Sequence, residues 1–553
     1  MLNPSTRHRA PILWVLLPMI AGLSIGHVLS TPLSVPALLI AGAIALVAGL
    51  RLRDSFLALI AMVYALCLTS IAYFELRKAR FDAWADRPPR EMRLILRIDR
   101  LFAATHGKPT ISGLAQIVHS ETARELEGQQ TYFSLRKPKA TMSTSTSVAA
   151  SAAPLPTAEI LVSGVFQPIP RSVAANTFDG FLLNSGVNFK LTPGRVLRET
   201  RPATRYRKLC AAAQKHFAVI LTQGLESHPD LAGIIRGMLL GEVVDLSLVQ
   251  KQLFIESGTL HLFSISGLHI AAIAIALHML LGVVRLPRPA IFALSSTTLW
   301  LYVDITGSSP SAVRAVVMVI LLELAFLLRR AVNPIATLGF AAVTTLIANP
   351  MELFNASFQM SYGIVAALLL MGLPFGEWLQ ARTALFPNLP KVTWRWWHHG
   401  FSAAQRWLTT ALGIGAATSL TSAICGIIYF NLFTPGALLV NLILIPISSL
   451  TLWSGFLSLL FGLLGLRSAS VLFNHAAALT LLVMEKGIEW LMCIPGMFWK
   501  ATFTVPAAGF LSLVALLAVM FFGYATHWDW RRGGWLPPFA ITVIVMIFAV
   551  RFT

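Results

Sequence analysis

The chain has 553 residues, 56% of them hydrophobic and only 12% charged, which excludes an ordinary soluble globular protein and fits a polytopic membrane protein. Lys and Arg number 43 against 24 Asp and Glu, a net charge of +19; this suits anionic lipid, nucleic acid or a positive-inside excess, so its location along the chain must decide. The four cysteines, Cys67, Cys210, Cys425 and Cys493, are scattered without a CxxC pair, which excludes a cysteine framework or zinc-knuckle pattern.

Arg7-His8-Arg9 precedes an apolar run from about Pro11 to Leu29, a second runs from Pro36 to Leu50, and a third follows Arg51 and Arg53 from Ser55 to Phe74. No small-x-small cleavage site follows the first run, so residues 1–74 read as three retained transmembrane helices. The Arg clusters place the N-terminus in the cytoplasm, and the third helix then delivers Glu75 to the outer face. Beyond it the apolar runs shorten to strand length. Residues 75–215 hold 22 Lys and Arg against 11 Asp and Glu, more than half of the net charge. Alternating stretches at Met92–Phe102, Thr110–His119, Gln130–Arg136, Glu159–Phe166 and Val187–Leu191 predict a small five-stranded β-barrel of OB-fold type over 75–200, interrupted by a low-complexity Ser/Thr/Ala loop around Ser145. Its basic surface suits a single-stranded phosphate backbone, with Tyr132 and Phe133 as stacking candidates, or is simply a solvated face.

Residues 201–255 read as a helical connector, and 256–525 as the transmembrane core. Further spans are expected at about 290–303, 310–328, 334–348, 356–372, 403–429, 436–463 and 505–522, with a C-terminal segment over 526–553, giving twelve spans in all. The stretch 472–492 carries Glu485, Lys486 and Glu489 and reads as a helix lying against the bundle or the interface. The tryptophan-rich clusters at 394–399 and 528–532 read as headgroup anchors.

The core opens on Glu256-Ser-Gly-Thr-Leu-His261-Leu-Phe-Ser264-Ile-Ser266-Gly267-Leu-His269, which brings more polar groups into an apolar run than lipid tolerates. Backbone at that depth must be satisfied by packed neighbours, a broken helix or a wet cavity. Two readings stay open: a tight crossing at which Ser264, Ser266 and Gly267 let two backbones approach, or a binding and conducting route. A metal centre is excluded on one straight helix, since His261 and His269 lie about 80° apart and His278 about 180° from His269. Farther on, Ser309-Pro310 is a plausible helix start that puts Arg314 roughly 6 Å inside, with Glu323 about 180° round the same helix. Each charge needs a partner elsewhere, and Asp304 is the nearest for Arg314. Gln359 and Asn441, the latter in a span kinked by Pro446, add polar groups at depth.

These segments, namely Leu239-Leu-Gly241, Phe254 through His269, Ser309-Pro-Ser-Ala-Val-Arg314, Phe358-Gln359-Met-Ser361 and Asn441 through Pro446, resemble in order and spacing the signatures of the ComEC family of competence proteins. Asn176-Thr-Phe178-Asp179-Gly180 and Cys493-Ile-Pro495-Gly496 extend the resemblance over nearly the whole chain. It implies an inner-membrane channel that passes single-stranded DNA into the cytoplasm during natural transformation, fed by a DNA receptor. Pathway residues would be His261, Ser264, Ser266, Gly267, His269, Asp304, Arg314, Glu323, Gln359 and Asn441. Many family members continue into a metallo-β-lactamase-like domain, but the 553 residues hold no HxHxDH cluster, H-E-x-x-H motif or P-loop. The expectation is a form without that domain, with no cofactor and no hydrolase of its own. A cytoplasmic motor or single-strand-binding protein and a separate nuclease would then act beside it. A secondary transporter of a small anionic solute would use the same broken helices but leave the basic barrel without a task. An intramembrane enzyme would need paired acid/base or nucleophilic groups that the spacing does not supply.

Three helices after a cytoplasmic N-terminus place residues 75–230 outside the cytoplasmic membrane. Reporters fused near Ser145 should be active only when the reporter works outside the cytoplasm; activity of a cytoplasm-only reporter there would reverse the orientation.

Overall fold

The computed structural model describes residues 10–29, 33–52, 56–82, 87–102, 110–136, 154–170, 173, 177–242, 248–263, 265–330, 332–529 and 533–552. The expected loop around Ser145, and Ser264 and Asn176, lie outside the described residues. In chain order the elements begin with α1 (Leu13–Val28), α2 (Val35–Arg51), α3 (Phe56–Asp82), β1 (Arg90–Leu101), β2 (Thr110–Ser120), β3 (Gln130–Arg136), β4 (Glu159–Pro168), α4 (Phe178–Asn184), β5 (Phe189–Arg201) and α5 (Arg205–Thr222). There follow α6 (Pro229–Leu240), α7 (Leu248–Glu256), α8 (Gly267–Val283), α9 (Arg288–Ile305), α10 (Pro310–Leu327), α11 (Pro334–Ala348), α12 (Ala356–Ala367), α13 (Leu373–Arg382) and α14 (Trp396–Phe430). The chain then runs through β6 (Leu432–Phe433), α15 (Ala437–Leu463), α16 (Arg467–Met492), β7 (Trp499–Phe503), α17 (Pro506–Ala525), α18 (Leu536–Phe548) and β8 (Val550–Phe552).

Two compact units result, one of Met1–His216, Trp300–Ser309 and Gly339–Asn355, the other of Phe217–Leu299, Pro310–Leu338 and Ala356–Thr553. In the first, β1 to β5 close into a barrel in the order β1-β2-β3-β5-β4, with β3 and β5 parallel and the other pairs antiparallel. This is an OB-like domain, as the alternation predicts. Met92, Leu94, Leu96 and Ile98 of β1 point inward, Arg93 and Arg97 outward, and the interior is completed by Ile117, Phe133, Leu135, Ile160, Val162 and Leu191. Each such side chain contributes about 1.5–3 kcal/mol on burial. The period of two also corrects one expectation: Phe133 is fully buried inside the barrel and cannot stack on a base. Its neighbour Tyr132 faces outward, against Phe102 and Phe178.

β5 runs ten residues beyond its expected end at Leu191. Thr192-Pro193 reads as a terminator, yet the ladders to both neighbours step over it: β4 pairs Phe166 with Leu191 and then Gly164 with Gly194, and β3 pairs Phe133 with Leu191 and then Leu135 with Gly194. The proline, with no N–H to give, therefore sits in an irregularity where none is needed. Outside the barrel the first unit is tied by its own segments. Asn355 Nδ2 donates to Ser185 Oγ at 2.9 Å. Burial holds the Arg100 guanidinium below its ordinary range, with the charge of Glu352 acting in the opposite direction.

The second unit packs α6, α7, α15 and α16 around Leu221, Ile235, Met238, Phe254, Leu444, Leu481, Met484 and Ile488. A polar cluster locks this core: Ser458 Oγ donates to Asn474 Oδ1 (2.6 Å), and Asn474 Nδ2 donates to the carbonyls of Ile220 (2.8 Å) and Gln223 (3.0 Å). Among the described residues seven helices are long and apolar enough to cross a membrane, and five more apolar helices are shorter. The chain is thus a multi-pass membrane protein. The seven include Arg467–Met492, part of which was expected to lie along the bundle or interface, whereas Arg288–Ile305 is in neither group.

Barrel closure leaves no room at Gly164, where a Cβ would stand 2.7 Å from both Gly194 Cα and the Pro193 carbonyl oxygen. Gly164→Ala should destabilise the barrel by about 1–3 kcal/mol. Limited proteolysis of the membrane-inserted full chain should show faster cleavage between residues 87 and 201, with the rest of the digest unchanged.

Candidate translocation site

Of the three solutions open to the polar stretch at 256–269, the structure shows a broken helix. α7 ends at Glu256, a short 3₁₀ turn covers Leu260–Phe263, and α8 begins at Gly267 with Ser266 at its N-cap. The interruption is held by its own side chains: Ser257 and Thr259 share a hydrogen bond at 2.7 Å, and His261 Nδ1 lies 3.1 Å from the Gly258 carbonyl. Ser266 N–H donates to His269 Nδ1 at 3.2 Å, with Ser266 Oγ 2.9 Å from the same nitrogen. An Nδ1 that accepts a backbone N–H leaves the proton of the neutral ring on Nε2. That Nε2 is buried, with the Met238 backbone beside it and no hydrogen bond of ordinary geometry among the described residues. Gly267 is not where two backbones touch, since a Cβ there would meet only Ala315 Cβ at an ordinary 3.8 Å.

α10 starts at Pro310 as expected, and its first turns join two other helix starts. Ser311 Oγ donates to the Ile265 carbonyl just ahead of α8 (3.1 Å). Arg314, 4% exposed, donates from Nη2 to the carbonyl (2.8 Å) and hydroxyl (2.7 Å) of Ser357, the second residue of α12, with Tyr362 5.9 Å from its guanidinium carbon. The N-terminal ends of α8, α10 and α12 therefore meet around Ser266, His269 and Arg314. Each is the positive end of a helix dipole. Such an assembly favours an anion.

The remaining expected residues fall into separate places. Glu323 is buried and accepts hydrogen bonds from Ser295 (2.6 Å) and Ser296 (3.3 Å) of α9, with His278 Nδ1 of α8 3.6 Å away. Gln359 accepts from the Tyr429 hydroxyl at 2.9 Å, joining α12 to α14. Asn441 Oδ1 is buried without a hydrogen bond among the described residues. Asp304, expected beside Arg314, is engaged otherwise: Arg207 Nη1 lies 3.0 Å from Oδ1, the Tyr206 hydroxyl donates to Oδ2 at 2.7 Å, and Ser308 donates to Oδ1 at 2.8 Å. The hydrogen bond to Asp304 raises the pKa of Tyr206 above the ordinary phenol range, reinforced by burial and by the carboxylate's charge. Ser357, Ser295 and Ser296 were not among the expected residues. A serine in an apolar helix carries too small a signal to single out when its partner lies dozens of residues away.

Fold and site thus define a multi-pass membrane protein with an OB-like barrel and a broken-helix polar centre. A family model described as "Competence protein" matches residues 238–527, just over half of the chain and including every helix of that centre. The chain belongs to the ComEC family of competence proteins. ComE operon protein 3 of Bacillus subtilis (strain 168) is 30% identical over 145 residues, a match that spans 26% of this chain and 18% of that relative's length. No solved structure matches.

The Arg207–Asp304 contact, less than a third exposed on both sides, should be worth about 1–2 kcal/mol of coupling. Arg207→Ala and Asp304→Ala should each lower the melting temperature of the purified chain. The double variant should lose little more than the worse single one, and full additivity would show the pair to be energetically independent.

Proposed function

We propose that this protein is a channel that carries single-stranded DNA across the cytoplasmic membrane during natural transformation, without hydrolysing it. The observation that carries the reading is the meeting of three helix starts around buried Arg314. A polyanion crosses about 30 Å of hydrocarbon only where fixed donors replace its hydration, and N–H groups, a guanidinium and an imidazole N–H are donors that recognise phosphate without reading a base. Ser266, His269 and Arg314 would contact the strand, while Ser357 and Tyr362 would orient the arginine. Glu323 and Gln359 hold neighbouring helices in register. The barrel lies on the outer side in this reading and gathers the strand by a phosphate-led, salt-sensitive attraction, with the Tyr132, Phe102 and Phe178 cluster as its aromatic face. A DNA receptor delivers the substrate, and a motor or single-strand-binding protein and a nuclease act as separate partners.

The test is a null strain given labelled double-stranded DNA. Surface binding and entry to the outer compartment should persist while cytoplasmic label and transformants vanish. Complementation with Arg314→Ala should leave near-normal protein in the membrane and restore neither. Parental levels of cytoplasmic label in the null strain would overturn the channel and favour a transporter of a small anionic solute.

A further inference from the structure

The span that carries Ser357, Gln359 and Tyr362 is not one regular helix. α12 passes into α13 through a π-helical turn at Leu368–Gly372, in which the Leu373 N–H reaches back five residues to the Leu368 carbonyl. Pro374 follows at once. Having no N–H, it cannot close the usual bond to the carbonyl four residues earlier, that of Leu370. Trp528 supplies the missing donor: its indole Nε1–H donates to the Leu370 carbonyl oxygen at 3.0 Å.

The tryptophan is built into this position. His527 and Trp528 both occupy the left-handed region, at φ 55° and 50°, where non-glycine residues are uncommon and persist only if their surroundings require it. The ring lies on Gly523, where a Cβ would stand 2.4–2.6 Å from three of its carbons, and it stacks on Trp535 at 4.4 Å. Trp528 was expected as a headgroup anchor; it is instead turned into the bundle, and its neighbours 530–532 lie outside the described residues. The opposite flank of the π-turn is fixed by a glycine crossing: a Cβ at Gly413 of α14 would meet Gly376 N at 2.5 Å and the Gly372 carbonyl oxygen at 2.6 Å. The irregular turn is thus held from two sides, by backbone contact and by one indole N–H.

We propose that Trp528 is a positioning residue that fixes the π-turn and with it the rotational setting of α12 above the glycine crossing. A π-turn holds one residue more than an α-helical ladder, so losing or moving it would turn one half of the span about 100° against the other. Ser357 would then leave Arg314, and Gln359 would leave Tyr429. The link to transport rests on the function proposed above; the latch itself does not.

Hydrogen exchange of the purified full chain in nanodiscs, followed over residues 364–377, separates the two. Trp528→Phe keeps an aromatic ring and removes the donor, and should speed exchange there about twofold to tenfold. Pro374→Ala gives the Leu370 carbonyl a donor within its own helix, so in that background Trp528→Phe should have no further effect. Gly523→Ala, which expels the ring without altering it, should reproduce the Trp528→Phe result. In cells, entry of labelled DNA into the cytoplasm should fall with Trp528→Phe and recover with Trp528→Phe/Pro374→Ala. Unchanged exchange in Trp528→Phe, or equal acceleration with and without Pro374, overturns the latch. Unimpaired DNA entry in the null strain overturns only the channel.

Discussion

The polar centre of the second unit follows from one constraint: a backbone interrupted within an apolar bundle must have its N–H and C=O groups satisfied by protein. The break between Glu256 and Gly267 meets it locally, through Ser257, Thr259 and Ser266, and then through the start of α10, which in turn holds the start of α12. The same solution creates the polar centre. Three helix starts brought together to satisfy one interruption leave a concentration of donors, and Arg314 can be buried there because the Ser357 carbonyl and hydroxyl receive its hydrogen bonds. A buried acid is handled the same way: hydroxyls from α9 receive Glu323. Small polar side chains at helix crossings, rather than ion pairs alone, are what make charged residues tolerable in this bundle.

The sequence disclosed those features that depend on periodicity. Five strands, their order along the chain, and the proline-led start of α10 were legible, because alternation and capping chemistry act over a few residues. What failed was long-range. Asp304 is nearer in sequence to Arg314 than to Arg207, yet Arg207 and Tyr206 hold it, and proximity along the chain is a poor guide once helices pack sideways. Phe133 shows the opposite failure: Tyr132 and Phe133 look alike as stacking candidates in composition, but adjacent strand residues face opposite sides. The length of β5 depends on two ladders that step over Pro193, which the proline alone does not disclose.

Trp528 marks a third limit. Composition made it an anchor, since a tryptophan beside cations at the end of a span commonly sits among headgroups. Its inward turn depends on Gly523 giving the ring room and on Pro374 leaving a carbonyl open. Neither condition is visible from the aromatic residue itself. Read together, a proline in one span and a glycine before a tryptophan in another form a pattern with a physical meaning.

The small sheet β6-β7-β8 adds a consequence for assembly. Its central strand, Trp499–Phe503, pairs with Leu432–Phe433 on one side and with Val550–Phe552 on the other. The sheet thereby staples the end of α14, the start of α17 and the end of α18 at one place, with edge rings such as Phe433 against Phe552 closing it. The outer strands lie more than a hundred residues apart in sequence. During synthesis β6 therefore has no partner until α15 and α16 have been made, and the second edge of β7 stays open until β8 follows α18. Closure of the sheet thus depends on contacts far apart in sequence, which form later than local ones.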